Sequence, residues 1–192
     1  MKLILASKSG VRKNILDKNK INCEVIPSNI DEDQVKESLI SEKATPKLIS
    51  KNLAELKANK ISRKYPDRLV LGADSVIDLE SKLISKPKSR EEALQNLLKL
   101  NGKKHYLISS VCLSKNGSMI WHYTDTSTLI MKNLKLDELK SYLNKIKDEE
   151  LYAYGVYQIE ANGKSLFSKI DGNEDSIMGL PIKQIKEYIK NL

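Results

Sequence analysis

One apolar strand with a carboxylate in its middle constrains this chain more than any other feature. Residues 69–79 read Leu-Val-Leu-Gly-Ala-Asp-Ser-Val-Ile-Asp-Leu, a nearly continuous apolar run rich in β-branched residues. Such a run predicts a central strand that is covered on both faces. An ionised Asp74 inside it is costly unless it is paired or binds a metal. The pattern indicates a functional carboxylate, although an Asp that bonds a turn at a strand end is the structural alternative.

The chain around this strand alternates helices and strands. Thr45-Pro46 predicts a helix that runs to about Lys64, and Asn116-Gly117 predicts a hairpin between strands at 105–114 and 119–131. Further strands are predicted at 2–6, 22–26, 156–159 and 165–170, an acidic turn at 29–33 and a closing helix at 181–192. The predicted fold class is α/β, with a mixed β-sheet flanked by helices, and we expect one domain over residues 1–192.

The net charge of +8 fits nucleic acid, an anionic membrane or a small anionic substrate as a partner. The lysines are spread along the chain and aromatic residues make up only 5%, which disfavours a protein that stacks on nucleic-acid bases. The longest uncharged apolar stretch, 69–73, is too short to cross a membrane. The two cysteines are interpreted as buried thiols of a reducing compartment, so we expect a cytoplasmic protein.

Three further segments contain charged residues that could bind a ligand. Ile49, Leu53, Lys57 and Ile61 recur every four residues, so Lys57 lies on the apolar side of its helix and either extends to solvent or faces an anion. Residues 3–12 combine hydroxyls, backbone N–H groups and an arginine at a helix start, which is typical of an anion site. Residues 30–33 either form a solvated loop or hold a divalent cation.

Other residue patterns give no site of their own. Gly72 and Ala73 leave the backbone beside Asp74 uncovered, which suits the close approach of a ligand. His105 and His122 are the only histidines, no Cys/His spacing indicates zinc, and His105 is expected to be a surface or half-buried side chain.

Several segments resemble motifs of the Maf family of nucleotide pyrophosphatases, in the family's order and over nearly the whole chain. They are the opening 3–9 with Arg12, the acidic segment 30–32, the Leu-Ala-x-x-Lys-Ala helix at 53–58, the Gly-Ala-Asp-Ser-Val strand at 72–76, the Lys-Pro loop at 84–87, the Leu-x-Gly-x-x-His segment at 100–105, and the segments 155–160 and 178–181. Each motif is modest alone, but their order and spacing together are specific.

The resemblance implies a Maf-like or inosine-triphosphatase-like fold, with two lobes and a cleft between them. It implies a nucleoside triphosphate pyrophosphatase, a hydrolase of phosphoric anhydrides, that acts as a homodimer and takes part in restraining cell division and excluding modified nucleotides. The residues implied to be catalytic are Asp74, Lys57 and Lys86. Those implied to bind substrate are Ser7, Arg12, Gln158 and Glu160. Those implied to bind Mg²⁺, Mn²⁺ or Co²⁺ are Glu32 and Asp74.

Two departures from the commonest family pattern bear on the base. Val11 stands where a second arginine is usual, and Glu160 stands where a glutamine is usual. Both resemble the branch that includes enzymes acting on 7-methyl-GTP rather than the branch favouring dTTP and UTP. The alternatives are a basic nucleic-acid-binding protein, which steep salt dependence would favour, a protein that only regulates division, and the same reaction on inosine triphosphate.

Overall fold

A mixed seven-stranded sheet forms the centre of the molecule in the computed structural model, which describes residues 3–159 and 162–192. The strands are β1 (Leu3–Leu5), β2 (Cys23–Val25), β3 (Val70–Leu79), β4 (Lys82–Ile84), β5 (Lys104–Lys115), β6 (Ser118–Met131) and β7 (Phe167–Asp171). Their order is β2-β1-β3-β5-β6-β7, and β4 pairs with β3. The first two strands run parallel to their neighbours and the others are antiparallel.

Helices cover both faces of this sheet, so the predicted mixed α/β class is confirmed. They are α1 (Gly10–Lys18), α2 (Glu32–Ser41), α3 (Pro46–Lys64), α4 (Arg90–Leu100), α5 (Leu136–Leu143), α6 (Asp148–Tyr154), α7 (Glu174–Ile177) and α8 (Ile182–Lys190), with a short 3₁₀ turn at Asn162–Leu166. One face packs on α3 and the other on α1 and α8. None of the described helices is long and apolar enough to cross a membrane.

The strongest local signals of the sequence are confirmed. Thr45 Oγ1 accepts a hydrogen bond from Leu48 N (3.3 Å), Pro46 opens α3, and the helix ends at the predicted Lys64. Asn116 and Gly117 both have positive φ, 52° and 77°, as a tight hairpin turn between two right-twisted strands requires. These elements are specified by residues that are adjacent in sequence, which is why they could be predicted locally.

Two predicted elements are wrong. The acidic turn is the start of α2: Asp31 is its N-cap and accepts a hydrogen bond from Gln34 N (3.0 Å), and Glu32 and Asp33 occupy the first turn, where carboxylates are stabilised by the helix dipole. The strand predicted at 156–159 is an irregular segment after α6, because Gly155 has a φ of 98° and turns the chain away from an extended path.

Gly72 and His105 also differ from their interpretation in the sequence. Helix α3, and not a ligand, covers Gly72: a Cβ there would lie 2.1 Å from the carbonyl oxygen of Ala54. His105 was expected at the surface or half-buried, but it is fully buried, because Tyr157 and Phe167 pack over it with ring centroids 5.8 Å away.

Candidate active site

A gap along one edge of β3 opens the middle of that strand. Strand β1 ends at Leu5, which pairs with Leu71, and β4 pairs with β3 only from Ile77 onward. Within the described part of the chain, no strand pairs with residues 72–76 on this side. A cleft of about 480 Å³ adjoins the gap and is lined by Asp74 and its neighbours in β3. A cleft of this volume is typical of small-molecule sites.

Asp74 and Lys57 form a buried ion pair at the gap. Lys57 Nζ donates to Asp74 Oδ1 over 2.8 Å, and each residue is only 5% exposed. Lys57 Nζ also lies 2.8 Å from Glu32 Oε1, so the ammonium group joins two carboxylates. Asp74 Oδ2 is buried and has no hydrogen-bond partner among the described residues. Since a buried carboxylate oxygen without a partner is costly, this atom is the strongest single sign of a ligand at the site.

The position of Lys57 follows from the helix that carries it. Leu53 and Ile61, one turn before and one turn after Lys57, are buried against the sheet, so Lys57 points the same way. Ser50 Oγ, further along the same side of α3, donates to the backbone oxygen of Asp74 over 3.1 Å. Two residues on the side of α3 that faces β3 therefore hold Asp74: Lys57 contacts its carboxylate, and Ser50 contacts its backbone.

Helix α2 adds Glu32 and Lys36 to the cleft. Their side chains are one turn apart, with Lys36 Nζ 3.9 Å from Glu32 Oε2. Burial raises the pKa of Glu32, but the ammonium groups of Lys57, Lys36 and Lys86 outweigh this effect, and the pKa lies below its usual value. Glu32 is thus held as a carboxylate. Lys36 was not identified from the sequence because the acidic segment was interpreted as a turn instead of a helix start.

Arg12 continues the hydrogen-bond ladder of β1 across the gap. Ile4 N donates to Leu69 O (2.9 Å) and Ala6 N donates to Leu71 O (2.8 Å). The next carbonyl on this edge, Ala73 O, accepts from Arg12 Nη1 (3.1 Å) instead of from a strand. The guanidinium group thereby makes the hydrogen bond that a backbone N–H would make if β1 were longer.

The other bonds of Arg12 join distant segments. Nε donates to Gly179 O (2.9 Å), Nη1 to Ser7 Oγ (3.1 Å) and Nη2 to Ser75 Oγ (3.1 Å). With Ala73 O, these acceptors engage four of the five N–H groups of a guanidinium. Burial lowers the pKa of Arg12, and the carboxylates of Asp74 and Glu32 oppose this shift. Arg12 thus holds together the segments that form the cleft, and its predicted contact with substrate stays a prediction.

Ser7 is oriented by the same network. Its Oγ accepts from Arg12 Nη1 and from the backbone N–H of Ser9 (3.3 Å), and the residue is buried at the cleft wall. A hydroxyl oxygen that accepts two hydrogen bonds keeps its own hydrogen for donation. Ser7 is therefore suited to donate to an anionic oxygen in the cleft.

Lys86 reaches the cleft from the loop after β4. Its side chain is open to solvent in the cleft, yet the surrounding protein removes enough water from the ammonium group to lower its pKa. Glu32 and Asp74 raise this pKa, whereas Arg12 and Lys57 lower it further. A partly desolvated cation beside two carboxylates and other cations is well placed to bind a phosphate group.

The far end of the cleft is mostly apolar. Its lining includes Ile77 and Leu83 with Ile84, Leu107, Val156 and Ile159. Gln158 also lines the cleft, and its predicted contact with substrate stays a prediction, while Glu160 lies outside the described residues. The cleft therefore has a charged end at Asp74 and an apolar end suited to an uncharged, ring-shaped group.

The structure brings seven of the eight predicted site residues together in one cleft, and the eighth, Glu160, lies outside the described residues. The cleft is lined by Ser7, Arg12, Glu32, Lys57, Asp74, Lys86 and Gln158. Its lining also contains residues that were not proposed from the sequence, namely Lys36, Ser75, Tyr157 and Gly179. Among described lining residues, the cations Lys8, Arg12, Lys36, Lys57 and Lys86 outnumber the carboxylates Glu32 and Asp74. This excess of positive charge favours a polyanionic ligand.

A divalent cation would have two protein carboxylates available here. Among residues 3–159 and 162–192, no three His, Cys, Asp or Glu side chains converge as a preformed metal site. Asp74 and Glu32 nevertheless meet at Lys57, and Asp74 Oδ2 has no hydrogen-bond partner in the described chain. Mg²⁺ is commonly bound by one or two carboxylates together with substrate phosphates. The donor set therefore fits a cation that binds with a phosphorylated substrate.

Several known proteins are similar in sequence to this chain over most of its length. The model of the family described as Maf-like protein matches residues 2–192. A protein of Pelagibacter ubique named nucleoside triphosphate pyrophosphatase is 67% identical over 188 residues, covering 98% of this chain and 96% of the relative. A protein of Bartonella quintana named 7-methyl-GTP pyrophosphatase is 38% identical over 190 residues, covering 99% and 95%. Among solved structures, the Ham1 protein of Staphylococcus aureus has 16% identity and a TM-score of 0.48, covering 70% of this chain and 74% of that chain.

Proposed function

Because the chain belongs to the Maf-like protein family, we propose that it hydrolyses nucleoside triphosphates to the nucleoside monophosphate and pyrophosphate. The observation that carries this proposal is the buried pair of Asp74 and Lys57 at the charged end of a cleft whose other end is apolar. A triphosphate needs several cations, and the nucleoside needs an uncharged surface. One cleft contains both: cationic side chains at the end with Asp74, and apolar side chains at the other end.

In the proposed mechanism, Asp74 activates the attacking water molecule. Its Oδ2, which has no hydrogen-bond partner among the described residues, accepts a proton from a water molecule as the water oxygen attacks the α-phosphorus. The bond from the α-phosphorus to the bridging oxygen then breaks, and pyrophosphate leaves. Lys57 orients Asp74 through its hydrogen bond to Oδ1, while Lys86 and Lys57 neutralise the negative charge that builds up on the phosphate oxygens. Ser7 donates a hydrogen bond to a phosphate oxygen and orients the chain of phosphates.

We also propose that Glu32 and Asp74 hold a divalent cation, Mg²⁺, Mn²⁺ or Co²⁺, when substrate is bound. When bound, the cation would supply Lewis-acid polarisation of the phosphate oxygens. Lys57, which contacts both carboxylates, holds them close together.

The purified protein is expected to release one pyrophosphate per nucleoside triphosphate, and excess chelator should lower the rate by roughly 100-fold, since a bound cation contributes several kcal/mol to such reactions. Pyrophosphate and inorganic phosphate are measured separately, with each of the three metals added back. Release of inorganic phosphate alone would contradict the proposed bond cleavage. Full activity in chelator would contradict the metal proposal and leave the cleavage proposal intact.

The base is proposed to be a purine, with 7-methyl-GTP the first candidate. Val11, which lines the cleft, replaces a usual arginine, and Glu160 replaces a usual glutamine. A carboxylate accepts hydrogen bonds from the N1–H and the 2-amino group of guanine, whereas thymine and uracil offer one imide donor. A relative 38% identical to this chain is named a 7-methyl-GTP pyrophosphatase.

We expect kcat/KM for 7-methyl-GTP or another purine nucleotide to equal or exceed that for dTTP. The measurement is pyrophosphate release from 7-methyl-GTP, GTP, ITP, dTTP and UTP under identical metal conditions. Glu160→Gln should shift preference toward dTTP and UTP. A wild-type preference for dTTP and UTP over every purine would refute the proposal.

A further inference from the structure

His105 is a fully buried, titratable side chain that the proposed mechanism does not use. It lies near the start of β5, and its Nε2 is 3.1 Å from the hydroxyl oxygen of Tyr157. The Tyr157 ring packs edge-on against Phe167, with centroids 4.9 Å apart. Burial lowers the pKa of His105 to about 4, opposed by the backbone of Lys103, and burial raises the pKa of Tyr157. Both groups are therefore neutral at neutral pH, and they form a neutral hydrogen bond in the core.

Tyr157 belongs to a cleft wall with little regular structure. Residues 155–159 lie between α6 and the 3₁₀ turn, belong to neither helix nor strand, and all line the cleft. Their backbone is tied at its ends, by Gly155 N to Leu151 O (3.0 Å) and by Gly163 N to Gln158 O (2.9 Å). Val156 and Tyr157, which are 2% and 7% exposed, insert this segment into the core, and Tyr157 is hydrogen-bonded there to His105.

This wall stands at the end of the cleft that is distant from the reacting phosphate. Asp74 and Ile77 are three residues apart in an extended strand, a separation of about 10 Å. Leu107, two residues from His105, is the register partner of Ile77. A triphosphate bound at Asp74 would therefore extend its nucleoside toward the apolar end lined by Leu107 and residues 155–159.

We infer that His105 is a positioning residue: it fixes the 155–159 wall through Tyr157 and so determines how tightly the nucleoside part of the substrate binds. The inference rests on the proposed function, because that function determines how the substrate is oriented in the cleft. It assigns no contact between His105 and the substrate. The phosphate end, which Ser7, Lys57 and Lys86 bind in the proposed mechanism, should not depend on this hydrogen bond.

The experiment compares two ligands that share the phosphates but differ in the nucleoside. Dissociation constants are measured calorimetrically for a nucleoside triphosphate with an α,β-imido bridge and for inorganic tripolyphosphate. His105→Phe keeps a ring but removes the hydrogen bond, and Tyr157→Phe removes it from the other side. Each should weaken nucleotide binding roughly five- to tenfold, the size of one lost hydrogen bond, and should leave tripolyphosphate binding unchanged. The double variant should be no worse than either single variant, because both remove the same interaction.

Three comparisons make the result specific. His105→Gln, which can restore a hydrogen bond to Tyr157, should recover most of the nucleotide affinity. His122→Phe changes the other, exposed histidine and should have no effect. If His105→Phe does not fold, the same two dissociation constants measured on Tyr157→Phe test the inference.

Lower melting temperatures with unchanged nucleotide affinity would overturn the inference, as would an equal loss of tripolyphosphate affinity. Binding to the imido analogue is measured without turnover. A wild-type protein that binds both ligands but releases no pyrophosphate would contradict the proposed function and leave the test of His105 valid.

Discussion

The Asp74→Asn protein is expected to turn over its best nucleoside triphosphate at least about 100-fold more slowly than the native protein, since positioned general-base catalysis typically contributes this much. Asparagine keeps the shape of the side chain but removes the negative charge and the basicity of Oδ2. The loss should appear in kcat, because a proton is transferred to Asp74 only as the reaction proceeds. The measurement is the rate of pyrophosphate release per folded molecule at saturating substrate.

The structure also predicts how the stability of this variant changes. Removal of a buried carboxylate that has no partner would relieve its desolvation cost and raise the melting temperature. Asp74 Oδ1 instead accepts from Lys57 Nζ at 2.8 Å, so the substitution removes one of the two carboxylates that contact this ammonium group. We therefore expect the melting temperature to fall slightly, since Glu32 still neutralises Lys57.

Substitutions of the two lysines should separate binding from proton transfer. Lys57→Ala and Lys86→Ala should both raise KM, because these cations bind the phosphates before and during the reaction. Lys57→Ala should also destabilise the protein more, since it leaves Asp74 buried without its partner, whereas Lys86 is open to solvent. Asp78→Asn, on the same strand as Asp74 but outside the cleft lining, is the matched control and should keep normal turnover. Near-normal kcat in folded Asp74→Asn would end the assignment of Asp74 as the base.

Parts of the site that one secondary-structure element specifies could be predicted from the sequence. The four-residue spacing of Leu53, Lys57 and Ile61 places the lysine on the buried side of α3, and the structure has Lys57 5% exposed there. Asp74 was found because a carboxylate inside an apolar strand conflicts with its surroundings. In both cases a local sequence pattern predicted where the side chain lies. The pattern did not show which residue it pairs with.

The network around Arg12 could not be predicted in this way. Its bond to Gly179 joins residues 167 positions apart, and its bond to Ala73 exists only because β1 ends before β3 does. No spacing in the sequence records where one strand stops relative to its neighbour. The start of α2, in contrast, had a readable signal, since Asp31 precedes two acidic residues as an N-cap does, and that signal was interpreted as a turn.

Gly72 shows how a correct observation led to a wrong interpretation. The missing side chain does allow a close approach, but what approaches is the backbone of α3 and not a ligand. A Cβ at position 72 would lie 2.1 Å from Ala54 O and 2.8 Å from Ala58 N. Lys57 lies between these two residues in the same helix. The distance between α3 and β3, and with it the 2.8 Å contact of Lys57 with Asp74, therefore depends on Gly72.

We accordingly expect Gly72→Ala to lower the free energy of unfolding by roughly 3 kcal/mol or more, since the added methyl group meets main-chain atoms that have no rotamer to change. Helix α3 must move away from β3 by about an ångström, which should also lower kcat/KM of the folded protein by about 100-fold, because Lys57 and Asp74 lose their alignment. Denaturant unfolding gives the first quantity and pyrophosphate release the second.

Two further variants decide whether the backbone of α3 is the cause. Gly10→Ala is the matched control: a Cβ there meets nothing within 4 Å, and Gly10 begins α1, so stability should be unchanged or slightly higher. Adding Ala58→Gly to Gly72→Ala removes the side-chain contact at 2.9 Å but keeps the contact with Ala54 O. The double variant should therefore remain unstable. Recovery of stability and activity in it would show that the alanine side chain, and not the main chain of α3, sets the distance between the helix and the catalytic strand.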